Sequence, residues 1–347
     1  MILGILINVL GLYCVKVYIR EVSIKPMNLA IIDMGTNTFH LLLVKAENET
    51  FEIFHKEKIA VKIGANGINQ GIINDAAIER CISALKSFKK QIDTANIHEI
   101  HAIATSAVRN AKNQQFLIQR IKEEVGIEPR VISGMEEAAY IHYGVCKALN
   151  IGAEVCLIMD IGGGSIEFII TKGTQPLWMK SFEIGGQRMM EKFHRNDPIT
   201  STEISAIENY LEINLHPLFE ACELYGPKTL IGSSGTFDTL SEIHQKKMNK
   251  YGQAHATELP ITQNSMIQIF HELIVKNKVE RLLIAGMIEL RVDMIVVASI
   301  LIQFILKKTG LETTRISSYA LKEGVLLQTI TPLKIQTTPI SKILKYD

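Results

Sequence analysis

The chain has 347 residues, 47% of them hydrophobic and 21% charged, which is typical of a folded globular protein and argues against a disordered one. Its 37 basic and 36 acidic residues give a formal net charge of +1, so it lacks the basic excess typical of proteins that bind duplex nucleic acid. The five cysteines are scattered and form no C-x-x-C pair, which argues against a disulfide framework or a zinc site and favours a reducing cytoplasm.

Residues 2–15 form an almost wholly apolar stretch, and the first cation after it is Lys16. The stretch lacks the basic start and the cleavage site of a signal peptide, and it is shorter than the about 20 apolar residues of a membrane-spanning helix. Met27 follows a proline and opens a strand pattern. We therefore expect the fold to begin at Met27 and residues 1–26 to be an extension or a misassigned start, with a weak membrane anchor as the alternative.

Two segments share one pattern of an apolar strand, an Asp-x-Gly turn and a second apolar strand: residues 29–44 and residues 156–170. Each segment predicts a β-hairpin. Predicted helices and strands alternate elsewhere, which is typical of a layered α/β protein. Further strands are expected at 100–104, 130–133, 228–232 and 313–317. Helices are expected after a capping Asn74 or Asp75, from about Met135, at 294–306 (a buried core helix) and at 319–328.

The repeated hairpin predicts two similar domains, because flanking strands and turn polarity recur together with the Asp-x-Gly. At this length each domain can hold a core of its own. We place the first phosphate-binding domain at 27–148 and the second at 149–330, followed by a C-terminal tail at 331–347.

The two hairpin turns carry groups that suit phosphate binding. Glycines let backbone N–H groups converge on an anion without interference from a Cβ atom, and neighbouring hydroxyls add donors. The candidate phosphate-binding residues are Gly35, Thr36, Asn37 and Thr38 in the first turn and Gly162, Gly163, Gly164 and Ser165 in the second. Asp33 and Asp160 stand at the strand ends and are suited to hold Mg²⁺ directly or through water.

A third turn, at residues 232–236, again combines glycine with hydroxyl residues. Its Gly235 is a further phosphate-binding candidate. The alternative is that this turn only starts the helix that follows it.

With three further segments, these motifs resemble the exopolyphosphatase/guanosine pentaphosphate phosphatase (Ppx/GppA) family, within the sugar kinase/actin/heat-shock chaperone superfamily. The further segments are ATSAVRNA at 104–111, VISGMEEA at 131–138 and ALKEGV at 320–325. The resemblance covers about residues 27–330 and rests most on the first two, which superfamily kinases and actin lack. It implies two ribonuclease-H-like α/β domains that face each other across a cleft.

The resemblance also implies roles for single residues. Glu137 matches the family's catalytic base, Arg109 its phosphate-orienting arginine, and Glu167 a second carboxylate that supports the metal or the water. The alternative for Glu137 is a carboxylate that only interacts with the dipole of its helix. The alternative for Arg109 is an ordinary surface arginine. The chain departs from the family pattern at Lys322, where arginine is usual, and at Ser299, where many relatives have glycine.

The implied activity is exopolyphosphatase, a Mg²⁺-assisted hydrolysis of the terminal phosphate of polyphosphate, with Mn²⁺ as an alternative ion. The alternatives are the same chemistry on guanosine pentaphosphate and a non-catalytic nucleotide sensor. The expected partner is the substrate, without duplex nucleic acid or membrane, and a homodimer stays open.

Longer relatives carry further C-terminal domains with a His-Asp motif, and none of the ten histidines here precedes an aspartate. We therefore expect only the phosphates inside the cleft to be held firmly. Hydrolysis of long polyphosphate should then be distributive, with release of the substrate after few cleavages.

Overall fold

The computed structural model describes residues 26–47, 50–249 and 256–330, together with two short paired strands, β1 (Gly4–Ile5) and β2 (Val17–Tyr18). Most of the predicted extension 1–26 and the whole predicted tail 331–347 lie outside this part of the chain. Across the described residues, no helix combines the length and the apolar character needed to cross a membrane.

The first large sheet lies in residues 26–148, here called the first half. Its strands are β3 (Met27–Met34), β4 (Thr38–Glu47), β5 (Thr50–Ala60), β6 (Glu99–Ala104) and β7 (Arg130–Val131). Their spatial order is β5-β4-β3-β6-β7. The first three pair antiparallel as a meander, and β6 and β7 join in parallel.

The second large sheet lies in residues 150–330, the second half, and repeats this plan. Its strands are β8 (Val155–Ile161), β9 (Ile166–Lys172), β10 (Gln175–Phe182), β11 (Thr229–Ser233), β12 (Glu258–Leu259) and β13 (Thr313–Ser317). The order is β10-β9-β8-β11-β13-β12, in which β12 adds an antiparallel edge. Because both sheets combine an antiparallel meander with two parallel strands, the predicted ribonuclease-H-like α/β fold class is confirmed.

Helices cover the two sheets. The first half contains α1 (Asp75–Thr94), α2 (Ser106–Arg109), α3 (Gln114–Val125) and α4 (Gly134–Ala148). The second half contains α5 (Gly186–Phe193), α6 (Ser201–Asn214), α7 (His216–Tyr225), α8 (Ser234–Met248), α9 (Gln263–Val275), α10 (Lys278–Leu282), α11 (Met294–Thr309) and α12 (Leu321–Ile330). Of the two predicted caps of α1, Asn74 is the one whose side chain caps the helix, and α11 is the expected buried helix.

A buried apolar cluster joins the two sheets. It includes Leu29 and Ile31 of β3, Ile158 of β8 and Ile169 of β9. Helix α12 contributes Leu326 and packs against both α4 and β3, which belong to the first half. Since the last helix bridges the two sheets, the halves share a core in addition to their own, and the domain boundary at 148/149 stays a prediction.

Helices α4 and α12 cross at two glycines. A Cβ atom at Gly324 would lie 1.9 Å from the carbonyl oxygen of Tyr140, and one at Gly144 would lie 2.5 Å from the carbonyl oxygen of Ala320. Backbone atoms cannot move aside as a flexible side chain can. The crossing therefore requires glycine on both helices.

Gly324→Ala should lower the free energy of unfolding by about 2 kcal/mol, because the cost of overpacking exceeds the gain in helix propensity. Urea unfolding followed by circular dichroism measures this change. Gln328→Ala on the same helix shortens a half-buried side chain without adding an atom and should cost much less. An unfolding midpoint at or above that of the wild type for Gly324→Ala would contradict the close crossing.

Candidate active site

The two Asp-x-Gly turns meet between the sheets and border a cleft of about 310 Å³. Most of the residues proposed from the sequence line it: Asp33, Gly35, Thr36, Asn37, Thr38, Glu137, Asp160, Gly162, Gly163, Gly164, Ser165 and Gly235. Arg109 and Glu167 do not border this space. Each forms hydrogen bonds with nearby residues: Arg109 with Glu137 and Glu183, and Glu167 with Ser181.

The hairpin register explains where Glu167 lies. Asp160 faces Glu167 across the second hairpin, and Asp33 faces His40 across the first. His40 borders the cleft, whereas Glu167 is buried and its Oε1 accepts a 2.7 Å hydrogen bond from Ser181 Oγ. Burial, together with the neighbouring Glu137 and Asp160 carboxylates, raises the pKa of Glu167 well above its usual value. Glu167 is therefore a buried neighbour of Glu137 and Asp160 that does not border the cleft.

The glycines of the second turn let it touch the first half of the chain. A Cβ atom at Gly164 would lie 2.4 Å from Ser106 Oγ and 2.7 Å from Thr36 Oγ1. A Cβ atom at Gly163 would lie 2.9 Å from the Thr36 Cβ. Any side chain at these two positions would force the turns apart, so glycine here permits closure of the cleft as well as access to backbone N–H groups.

Glu137 enters the site from the first turn of α4. Ser133 caps this helix and forms a capping box with Glu136, with Ser133 N donating to Glu136 Oε2 at 2.8 Å. The Glu136 side chain thereby caps the start of the helix, whereas the Glu137 side chain points inward and is 6% exposed. Its Oε2 accepts a 2.8 Å hydrogen bond from Nη1 of Arg109. The adjacent glutamates thus have different surroundings, although the sequence shows both in the same helical turn.

Burial raises the pKa of the Glu137 carboxyl to about 7, while Arg109 opposes the increase and Asp33 and Asp160 add to it. Burial likewise raises the pKa of Asp33 to about 7, and nearby Lys322 opposes it. A carboxylate with a pKa near the working pH is suited to general base catalysis.

Because a general base must be ionised, kcat/KM should rise with pH through about 7 and level off above it. Arg109→Met removes the group that lowers the pKa of Glu137, so this rise should shift to higher pH. Arg109→Lys retains the charge and should shift it less. The ionisation of a substrate phosphate is the same for all three enzymes, and an unchanged profile in Arg109→Met would contradict the coupling of Arg109 and Glu137.

Five charged residues that were not proposed from the sequence also border the cleft: Lys58, Asp238, Glu242, Arg291 and Lys322. The guanidinium of Arg291 lies directly over Gly235, where a Cβ atom would be 2.1 Å from its Nη2. The third turn therefore starts α8 and also leaves room for an arginine from a distant segment. Lys322 lies in a motif already noted, whereas Asp238 and Arg291 lie in segments without a recognisable pattern.

The carboxylates at the strand ends fit a magnesium ion that is shared with substrate. Asp33 Oδ1 is buried and has no hydrogen-bond partner among the described residues, and Asp160 Oδ2 accepts a 2.7 Å bond from Ser233 Oγ. The described ranges contain no group of three or more His, Cys, Asp or Glu side chains placed to hold a metal by themselves. Mg²⁺ is commonly bound by one or two carboxylates together with substrate phosphates and water, which matches this pair.

Comparison with known proteins agrees with the motifs. The model of the Ppx/GppA phosphatase family matches residues 42–332. The crystal structure of an exopolyphosphatase from Cytophaga hutchinsonii is 41% identical with a TM-score of 0.86, and the match covers 89% of this chain and 99% of that one. A family member from Aquifex aeolicus is 25% identical with a TM-score of 0.71, covering 89% of this chain and 99% of that one.

Among curated sequences, Exopolyphosphatase 1 of Mycobacterium tuberculosis is 25% identical over 304 residues, which are 87% of this chain and 88% of the relative. The family inferred from the motifs, and with it the prediction of a hydrolase, is confirmed. The chain belongs to the Ppx/GppA phosphatase family.

Proposed function

We propose that this protein is an exopolyphosphatase that removes the terminal phosphate of linear polyphosphate. One observation carries the proposal: a buried carboxylate, Glu137, borders the same cleft as two glycine-rich turns with backbone and hydroxyl donors. Such turns bind phosphate oxygens, and a carboxylate facing them is placed to act on a water molecule. The family membership supports the same reaction.

In the proposed reaction, water attacks the terminal phosphorus in line with the anhydride bond, which breaks. Glu137 accepts the proton of the attacking water, and the products are inorganic phosphate and a polyphosphate one unit shorter. Arg109 does not border the cleft, and it acts by holding Glu137 in place through the 2.8 Å bond. The turns at Gly35–Thr38 and Gly162–Ser165 bind the phosphate oxygens.

We propose Mg²⁺, or Mn²⁺ in its place, as the cofactor, held by Asp33 and Asp160. When bound, the ion neutralises charge on the phosphate oxygens. The buried, unpartnered Oδ1 of Asp33 supports this assignment, because a buried carboxylate oxygen needs a cation or a donor.

A second candidate reaction is hydrolysis of the 5′-terminal phosphate of guanosine pentaphosphate. Polyphosphate has no apolar part, yet the apolar residues Ile288 and Leu290 border the cleft. This wall could pack against a base. The same catalytic groups would serve both substrates, so the choice between them depends on binding.

Phosphate release from medium-length polyphosphate and from guanosine pentaphosphate, compared by kcat/KM in the presence of Mg²⁺, tests the proposal. We expect the higher value for polyphosphate, and we expect Glu137→Gln, prepared in the same way, to exclude a contaminating phosphatase. A higher value for the nucleotide would favour the second reaction. Tight nucleotide binding without release of phosphate from either substrate would favour the sensor.

The four cysteines of the described part, Cys81, Cys146, Cys156 and Cys222, are free thiols, which agrees with the cytoplasmic location that we propose. A homodimer stays an open alternative.

A further inference from the structure

Glu183 follows β10 in the second half of the chain and reaches across to the first half. Its Oε1 accepts a 2.9 Å bond from Nη2 of Arg109, and its Oε2 accepts a hydrogen bond from Ser106 Oγ. Arg188 Nη2 lies 3.4 Å from the same Oε2. Partial burial raises the pKa of Glu183, but the hydrogen bonds from Ser106 and Arg109 outweigh this effect and hold the pKa below its usual value. The side chain is therefore ionised at neutral pH.

Arg109 is consequently held between two carboxylates that come from opposite sides. Nη1 donates to Glu137 Oε2 at 2.8 Å and to the carbonyl oxygen of Ile132 at 3.1 Å, both in the first half, and Nη2 donates to Glu183. These bonds engage three of the five N–H donors of a guanidinium. Arg109 is 15% exposed, so its orientation is set by these partners and not by solvent.

The residues around Glu183 connect the same two halves. Arg188 Nε donates to the carbonyl oxygen of Gly164 in the second turn, and its Nη1 donates to the carbonyl oxygen of Ile68 in the first half, each at 2.8 Å. Glu183 therefore lies within the contact between the two halves, and its bonds tie the position of Arg109 to that contact.

We propose that Glu183 is a positioning residue for the reaction: it pairs with Arg109 from the second half of the chain and holds the guanidinium against the catalytic base. This inference rests on the proposed function, since it assigns Glu183 a part in the same hydrolysis. Glu183 itself touches neither the reacting phosphate nor the water. Its effect on the reaction passes through Arg109.

The simpler explanation is an ion pair that only fastens the two halves together. Glu191 provides a matched control because its Oε1 accepts a 2.9 Å bond from the backbone N of Asn66 across the same junction, without touching Arg109. If fastening alone matters, Glu183→Gln and Glu191→Gln should have similar effects.

The experiment measures kcat and KM for tripolyphosphate with Mg²⁺ in the wild type, Glu183→Gln, Arg109→Met, the double variant and Glu191→Gln. Glu183→Gln should lower kcat by about 10- to 100-fold, because a small misplacement of a positioned group costs up to about 100-fold. In the Arg109→Met background it should change kcat less than twofold, since residues that act as one unit are not additive. Glu191→Gln should stay within twofold of the wild type.

Equal effects of Glu183→Gln in both backgrounds, or equal effects of Glu183→Gln and Glu191→Gln, would overturn the proposal. The urea midpoints of the same five proteins give a second readout that needs no activity, in which the Glu183 and Arg109 substitutions should again be non-additive. If the wild type releases no phosphate, the proposed function has failed. In that case, additive effects of the Glu183 and Arg109 substitutions on the urea midpoint would also overturn the pairing of these two residues. Non-additive effects would support it.

Discussion

Replacing Glu137 by glutamine is expected to reduce phosphate release by about 10²–10⁴-fold, because an amide cannot accept the proton of the attacking water. Glutamine has the same shape and can still bond to Arg109, so the fold should be retained. Initial rates of phosphate release from polyphosphate, combined with circular dichroism of the variant, measure both effects. Substrate affinity should change much less than kcat.

Glu136→Gln is the matched control for this substitution. Glu136 precedes Glu137 in the chain, but it serves the capping box with Ser133 and pairs with Arg130 at 2.7 Å. Its replacement should lower the thermal midpoint slightly and leave kcat unchanged. Near-wild-type turnover by Glu137→Gln, or equal losses in both variants, would show that Glu137 is not the base.

Removal of divalent ions with EDTA is expected to abolish activity, and added Mg²⁺ or Mn²⁺ should restore it. Asp160→Asn removes one of the two carboxylates proposed to hold the ion. It should therefore raise the Mg²⁺ concentration needed for half-maximal rate, and lower the maximal rate as well. Titrating Mg²⁺ at saturating substrate measures both quantities.

Asp238→Asn removes the same charge from the same cleft without touching either hairpin turn. This control distinguishes the loss of a metal ligand from a general loss of negative charge in the cleft. Asp238→Asn should alter the Mg²⁺ requirement less than Asp160→Asn does. Full activity of the wild type in EDTA would show that the two strand-end aspartates have another role.

The sequence by itself determined the fold class and the two hairpins whose turns we propose to bind phosphate. The apolar runs of β3, β4, β8 and β9 and the glycines between them are local signals, because strands buried on both faces are almost continuously apolar and tight turns favour glycine. Glu137 was also accessible from the sequence, since it lies in a motif that resembles a known family. The third meander strands β5 and β10, which have weaker patterns, were not anticipated.

The tertiary structure alone decided which charged groups accompany these motifs. Arg291 reaches the cleft over Gly235, and Glu183 meets Arg109 although 74 residues separate them in the chain. Neither contact leaves a periodic or turn-forming pattern in the sequence. Each depends on how the two sheets close on each other, and that arrangement is determined by packing between distant segments: the crossing of α4 with α12 and the contact of Gly164 with Thr36 and Ser106.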